Sequence, residues 1–454
     1  MSQKFLPLLA LSLSLALSGC AVNSVDLKQP QLSPLGSDIR TFHPPAEPSE
    51  EGSSSLKFEE PTGDLTLSRA LSLALLKSPE LAAFSWEVRA GEARRLQAGL
   101  LPNPEINISS EEFGGSGVRR GYDAAETSVL LSQLVELGGK RAKRTEVAAI
   151  QSNLAGWDYE SKRLDVFTDT TKAFVETLAA QSRLALAEES FDLAKQVLQA
   201  VSERSRAGKV SPLEVIKAEV ALSTSRIKLE RTKRELETSR KSLAATWGSN
   251  SPMFIHAKGD FETINEIQPL NQLLQLIDQN PDIARRKVET TLRRAEIRLE
   301  ESEKIPSLTI GAGMRRFEET DDSAFLFEVS LPLLLFNRNQ GNILEAKHNL
   351  AKTLEENRAT NVRIRASISR IHQVLSSSYL EAVTLKNDVL PGAYSAFEAA
   401  REGYKQGKFG YLDVLDAQRT LFETKAGYIA ALADYHKAIA EAERLIGQRL
   451  TLQK

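Results

Sequence analysis

Four short motifs recur in the same order along this chain, and no other feature constrains its fold as strongly. Ser78-Pro79-Glu80-Leu81 returns as Asn280-Pro281-Asp282-Ile283, and Leu101-Pro102 as Ile305-Pro306. Gly208-Lys209 with Leu213-Glu214-Val215 returns as Gly407-Lys408 with Leu412-Asp413-Val414, and Trp247-Gly248 as Ile446-Gly447. A spacing of about 200 residues is too long for a solenoid repeat and marks a duplicated domain. The copies span residues 64–248 and 266–448, with a connector at 249–265 and a tail at 449–454.

Each copy follows one plan. An amphipathic helix is predicted over Leu65 to Leu100 and again over Pro269 to Lys304, stopped by Pro102 and Pro306. Two strand-like runs follow: Glu105–Glu112 and Glu126–Leu137 in copy one, Ser307–Arg316 and Ser323–Leu334 in copy two. Leu308, Ile310, Ala312 and Met314 alternate with Thr309, Gly311, Gly313 and Arg315, the period of a strand with one apolar face. Each run has roughly the length of a tilted membrane-spanning strand. Lys140 to Arg206 then holds no proline and one glycine, Gly156, so it reads as a single helix about 100 Å long. Heptad-like steps run through Phe191, Ala194, Leu198 and Val201, and through Ile364, Ile368, Ile371, Leu375, Ser378, Ala382, Leu385 and Val389. Each long helix ends at a glycine turn, Gly208-Lys209 or Gly407-Lys408, and a returning helix follows.

Composition narrows the function. Lys plus Arg is 58 and Asp plus Glu is 60, a balance that argues against nucleic acid as a partner. The one cysteine, Cys20, excludes intrachain disulfides and cysteine-based metal centres. The histidines His43, His256, His348, His372 and His436 are scattered, and no metal site is expected. Lys4 and the apolar run Phe5–Leu17 read as a signal peptide over residues 1–19, and Leu17-Ser18-Gly19-Cys20 resembles a bacterial lipobox. Cys20 is thus the expected lipid attachment point, giving an anchor rather than a span. Residues 20–63 carry Pro30, Pro34, Pro44, Pro45, Pro48 and Pro61 and read as a linker running extended over the outside of the body.

Four strands per chain cannot close a barrel, and lipid does not tolerate open strand edges. Chains with these strands in a membrane must combine, two giving eight strands and three giving twelve.

With these features together, the sequence resembles the TolC-type outer-membrane efflux channel family from about Leu65 to Gly447. The resemblance rests on the lipobox, the duplicated helix–strand–strand–helix plan and the tip motif Leu412-Asp413-Val414-Leu415-Asp416-Ala417. Ser132 to Arg141, reading SQLVELGGKR, is similar to the heavy-metal-efflux, CzcC-like branch. The resemblance implies a mainly α fold and a homotrimer, with a twelve-stranded barrel in the outer membrane above a long periplasmic helical barrel. It also implies a periplasmic adaptor, an inner-membrane pump of the resistance-nodulation-division type, and heavy-metal cations as cargo. It places Asp413 and Asp416 at a periplasmic gate with Tyr404 as a locking residue. Gly208, Lys209, Leu213 and Glu214, with Gly407, Lys408 and Leu412, become adaptor-docking tips. Phe409 stands where some family members carry Arg, so the expected basic partner of the lock is Lys408 or Lys405.

No catalytic constellation is present and no cofactor is expected beyond the lipid on Cys20. Lys140, Arg141, Lys143 and Arg144 form a basic cluster without the spacing of a phosphate loop, read as a charged girdle. Export of drugs or dyes, a type I secretion exit channel, and a periplasmic coiled-coil scaffold or adaptor lipoprotein are the competing readings. The alternating runs, which a scaffold does not need, weigh against the last.

Overall fold

The computed structural model describes residues 33–45 and 59–450. Copy one contains β1 (Gly63–Thr66), α1 (Leu67–Lys77), α2 (Pro79–Gly99), β2 (Glu105–Glu111), β3 (Glu126–Val135), α3 (Lys140–Arg206) and α4 (Pro212–Ala245). The connector holds β4 (Phe254–Lys258). Copy two contains α5 (Leu270–Gln275), α6 (Pro281–Ser302), β5 (Leu308–Phe317), β6 (Asp322–Ser330), α7 (Gln340–Thr384), α8 (Leu390–Lys405) and α9 (Tyr411–Ile446).

The predicted first helix of each copy is in fact broken, and the repeated Ser/Asn-Pro motif is the reason. The residue before a proline is pushed out of the helical region. Ser78 takes ψ 120 and Asn280 takes ψ 125, both outside the helix. Their side chains then cap the helix that follows: Leu81 N–H donates to Ser78 Oγ at 3.4 Å, and Asp282 N–H to Asn280 Oδ1 at 2.8 Å. The 67-residue α3 matches its predicted span. Its copy-two counterpart runs through a proline: α7 passes into a π turn at Leu385–Val389 and then α8, with Pro391 at the start of α8. The wider turn accommodates the ring that would otherwise strike the carbonyl four residues back.

The chain forms two compact units. One gathers Gly91–Asn153 and Glu289–Thr353. It carries a four-stranded, wholly antiparallel sheet of order β2-β3-β5-β6. Register sorts the side chains cleanly. Ile106 and Ile108 lie opposite Leu131 and Val129, these opposite Ala312 and Met314, and these opposite Phe327 and Phe325. That face is apolar yet exposed, with Phe325 88% and Ile106 70% accessible. The other face presents Asn107, Ser109, Ser128, Arg315 and Glu328. Apolar-out, polar-in alternation is the pattern of a strand between lipid and a wet lumen. The β3–β5 pairing is close at Gly313, where a Cβ would stand 2.1 Å from the Val129 carbonyl oxygen. β6 ends at Ser330, short of the predicted Leu334, since Pro332 has no N–H for a ladder. Among the described residues, no helix is long and apolar enough to cross a membrane.

The other unit holds Leu154–Val288, the chain from Leu354 on, and the described residues before Gly91. Here β1 pairs in parallel with β4, Leu65 opposite Ala257, a small sheet that the sequence reading missed. It joins Phe174, Leu178, Leu243, Trp247, Phe254 and Leu432 in one core. The heptad seams are buried at Ala194 and Val201 in α3 and at Ile364, Ile368, Ile371, Leu375, Ser378 and Ala382 in α7.

Where the segment expected to lie extended outside the body is described, residues 33–35 are instead built into it. Leu35 is fully buried against Leu71, Leu75, Leu164 and Phe167. Beneath it lie Glu160 and Arg163, whose side chains are each 1% exposed. Arg163 donates to both Glu160 oxygens at 2.8 Å, and two of its three other protons go to the Leu35 carbonyl at 2.8 Å and the Ser33 carbonyl at 3.1 Å. Ser33 N–H donates back to Glu160 at 2.6 Å, and Leu35 N–H to the Gly447 carbonyl at 3.1 Å. A buried ion pair needs its spare donors and acceptors filled. Backbone from residues 33–35 fills them. Cys20 and residues 21–32 and 46–58 of the linker lie outside the described residues.

Candidate functional site

The tips of the two helical hairpins meet in one cluster. Gly208 (φ 69) and Gly407 (φ 76) turn the chain in the left-handed region that favours glycine. Ser211 Oγ accepts from Leu213 N–H at 3.2 Å to start α4. Val201 of α3, Ala218 of α4, Phe397 and Tyr404 of α8, and Tyr411 and Val414 of α9 pack together beneath the turns.

Tyr404 lies at the centre. Its hydroxyl donates to Glu214 Oε2 at 3.2 Å. Its ring lies 4.3 Å below the Arg204 guanidinium carbon, and Arg204 Nη1 donates to the Tyr404 carbonyl at 2.5 Å. The cation against Tyr404 therefore comes from copy one, and is neither Lys405 nor Lys408. Lys405 pairs with Glu402 on its own helix at 3.5 Å, and Lys408 stands exposed. The Phe409 ring lies against Gly403, where an added Cβ would meet it at 2.1 Å. Burial, then the nearby Glu214 charge, raises the Tyr404 phenol above its ordinary value, and burial pushes Tyr411 up to about 12. Both phenols stay protonated, and Tyr404 stays a donor.

Asp413 and Asp416 are exposed on α9. Asp413 Oδ2 accepts from Gly410 N–H at 2.8 Å, which caps the helix start. Asp416 accepts from Arg419 at 2.9 Å. Gly208, Lys209, Leu213, Gly407, Lys408 and Leu412 form an exposed rim around Tyr404, Leu213 and Leu412 being apolar members of it. Among the described residues no group of three or more His, Cys, Asp or Glu is placed to hold a metal ion. His372 Nε2 donates to the Gln268 carbonyl, 3.3 Å away. In the basic cluster, Lys140 pairs with Glu303 at 2.8 Å and Arg144 grips both Glu136 oxygens at 2.7 and 3.1 Å. These are the pairs of a charged junction between sheet and helix. Arg204 was missed by sequence reading because it precedes the tip motif and lies 200 residues from its partner.

A sheet with an exposed apolar face and two unpaired edge strands, in a chain with helices of this length, is the protomer of an outer-membrane channel. The chain belongs to the Outer membrane efflux protein family, which matches it twice, over residues 70–249 and 273–448. It is 35% identical to the cobalt-zinc-cadmium resistance protein CzcC of Cupriavidus metallidurans, over 86% of this chain and 91% of that one. The nickel-cobalt-cadmium resistance protein NccC of Alcaligenes xylosoxydans is 24% identical over 69% of each chain. A solved structure of CusC shares the fold with a TM-score of 0.71 at 17% identity, covering 90% of this chain and 99% of that one.

Proposed function

We propose that this chain is the passive exit duct of a tripartite efflux system for heavy-metal cations. The observation that carries the cargo is its 35% identity with a cobalt-zinc-cadmium resistance protein along almost the whole chain. Three protomers join β6 of one to β2 of the next and close a twelve-stranded barrel in the outer membrane, satisfying both edges. The long helices extend into the periplasm. An inner-membrane pump of the resistance-nodulation-division type and a periplasmic adaptor deliver the cargo, and the duct itself does no chemistry. A lipid on Cys20 adds an anchor to the barrel.

In this reading the tips gate the duct. Tyr404, Glu214 and Arg204 hold the two hairpins of one protomer together. Threefold symmetry brings rings of Asp413 and Asp416 towards the axis, where carboxylates attract cations and repel one another. The exposed rim of Gly208, Lys209 and Leu213, with Gly407, Lys408 and Leu412 and the half-buried Glu214 beside it, meets the adaptor. The test is deletion of the gene, followed by growth on zinc, cobalt, cadmium, nickel, copper and silver beside dyes and antibiotics. Sensitivity to the metals, reversed by the intact gene, is expected. Sensitivity to dyes and antibiotics alone would remove the metal reading and leave the channel. That second reading has its own support, a 22% identity over 93% of the chain with the toluene efflux protein TtgF of Pseudomonas putida. A migration in detergent that is not trimeric and heat-modifiable would favour the scaffold instead.

A further inference from the structure

We infer that the turn between β6 and α7, Leu331-Pro332-Leu333-Leu334-Leu335-Phe336, is a lipid-seated wedge at the periplasmic edge of the barrel. It rests on the lipid-facing reading of the sheet. Phe325, Phe327 and Val329 form the exposed apolar stripe of β6. From Phe325 to Val329 the strand rises about 13 Å, or about 10 Å across a membrane once tilted, against an apolar band of about 25 Å. The strand alone covers less than half of what the band requires.

The stripe continues past the ladder. Ser330 pairs with Thr309, so Leu331 is the next step along, beside Leu308, which pairs with Val135. Leu331 and Leu333 keep the odd-numbered spacing of the lipid face, and reaching Leu333 brings the stripe to about 20 Å across the band. The chain then folds tightly, Leu335 N–H donating to the Leu333 carbonyl at 2.9 Å. Leu333, Leu335 and Phe336 are left 76%, 64% and 90% accessible. The sequence turns polar in one step, at Asn337-Arg338-Asn339-Gln340. Asn339 Nδ2 fixes this edge on Glu300 of α6 at 2.6 Å, and Arg338 is exposed beside it. Apolar residues, then an aromatic, then an arginine is the order met on leaving acyl chains for phosphates. The corresponding junction of copy one exposes less apolar surface, Val135 and Leu137 being 38% accessible. It carries Glu136 paired with Arg144, and Gly138 packed against Ile305. The duplicated domain has thus assigned the wedge to its second copy.

The experiment places a nitroxide at Phe327→Cys, Leu333→Cys, Leu335→Cys and Arg338→Cys in the full-length protein, reconstituted in phosphatidylethanolamine–phosphatidylglycerol vesicles. Collision with oxygen and with a water-soluble nickel chelate is then compared. The expected result is oxygen-rich, nickel-poor contact at 327, 333 and 335, with the ratio falling several-fold at 338. Nickel contact at 333 and 335 with 327 still in lipid would place the turn in water and overturn the wedge alone. Immobile labels reached by neither reagent at 333 and 335 would mean that a second copy covers the turn, again overturning the wedge. Nickel contact at 327 would sink the lipid-facing reading of the sheet, and the wedge with it.

Discussion

Tyr404 and Glu214, 190 residues apart in sequence, share a hydrogen bond of 3.2 Å that links the tip of one hairpin to the tip of the other. The two ends come from different places in the repeat, Tyr404 before the tip glycine of copy two and Glu214 after that of copy one, and Arg204 covers the ring from copy one as well. Removing the phenolic oxygen should loosen this link without emptying the core. Tyr404→Phe keeps the ring and costs about 1 kcal/mol. Single-channel recordings in planar bilayers should show a higher mean conductance than the parent, and Glu214→Gln should sit between them. Parent-like traces for both variants would take the pair out of the gate.

Asp413 has two roles that one substitution can separate. Alanine removes the charge and the helix cap together, and loss of such a cap costs about 1 kcal/mol. Asp413→Asn keeps an oxygen for Gly410 N–H and removes only the charge. With Asp416→Asn it should weaken block by divalent cations while the melting temperature stays near that of the parent. Unchanged block in this pair, with a melting temperature lowered only by Asp413→Ala, would leave Asp413 as a cap alone.

The buried pair under residues 33–35 predicts a strong asymmetry. Arg163→Met leaves Glu160 charged and enclosed and should destabilise the fold by about 3–5 kcal/mol. Replacing both, Glu160→Leu with Arg163→Met, should recover much of that loss while the Ser33 and Leu35 backbone loses its partners. Limited proteolysis reads the second effect as faster cleavage within residues 33–45. A double variant as unstable as the single one would argue against this account.

His436 Nε2 donates to the Phe261 carbonyl at 3.0 Å, beside Asp260, and holds the connector on α9. Burial keeps the imidazole below its ordinary value of 6.5. The folded state therefore takes up a proton less readily than the unfolded one. The His436 contribution is complete above about pH 6.5 and is lost as the pH falls below it. Thermal melts from pH 7.5 to 5 should show a decline that His436→Gln reduces. An equal decline in both proteins would assign it to other groups.

Much of this architecture was legible from residue order. The absence of proline between Lys140 and Arg206 fixed a helix of 67 residues, because only proline or paired glycines would have broken it. Alternation around Ile310 and Phe327 gave the strands, since the side-chain period of a strand does not depend on its neighbours. The repeated Ser78-Pro79 and Asn280-Pro281 were read as landmarks of duplication and not as breaks, although the proline rule was enough to place them. Pro391 shows the reverse, since packing of α8 keeps a helical path that local preference alone would interrupt.

The sequence by itself determined the long helices, the four strands of the antiparallel sheet and the tip glycines, all set by local backbone preference and periodicity. Only the tertiary structure decided which charges meet. Arg204 rather than Lys405 or Lys408 covers Tyr404, residues 33–35 complete the Glu160–Arg163 pair, and β1 finds β4. A charge or a short strand carries no local mark of its partner. Pairing is settled by which surfaces the packed helices bring within a few ångströms, and that information is spread over the whole chain.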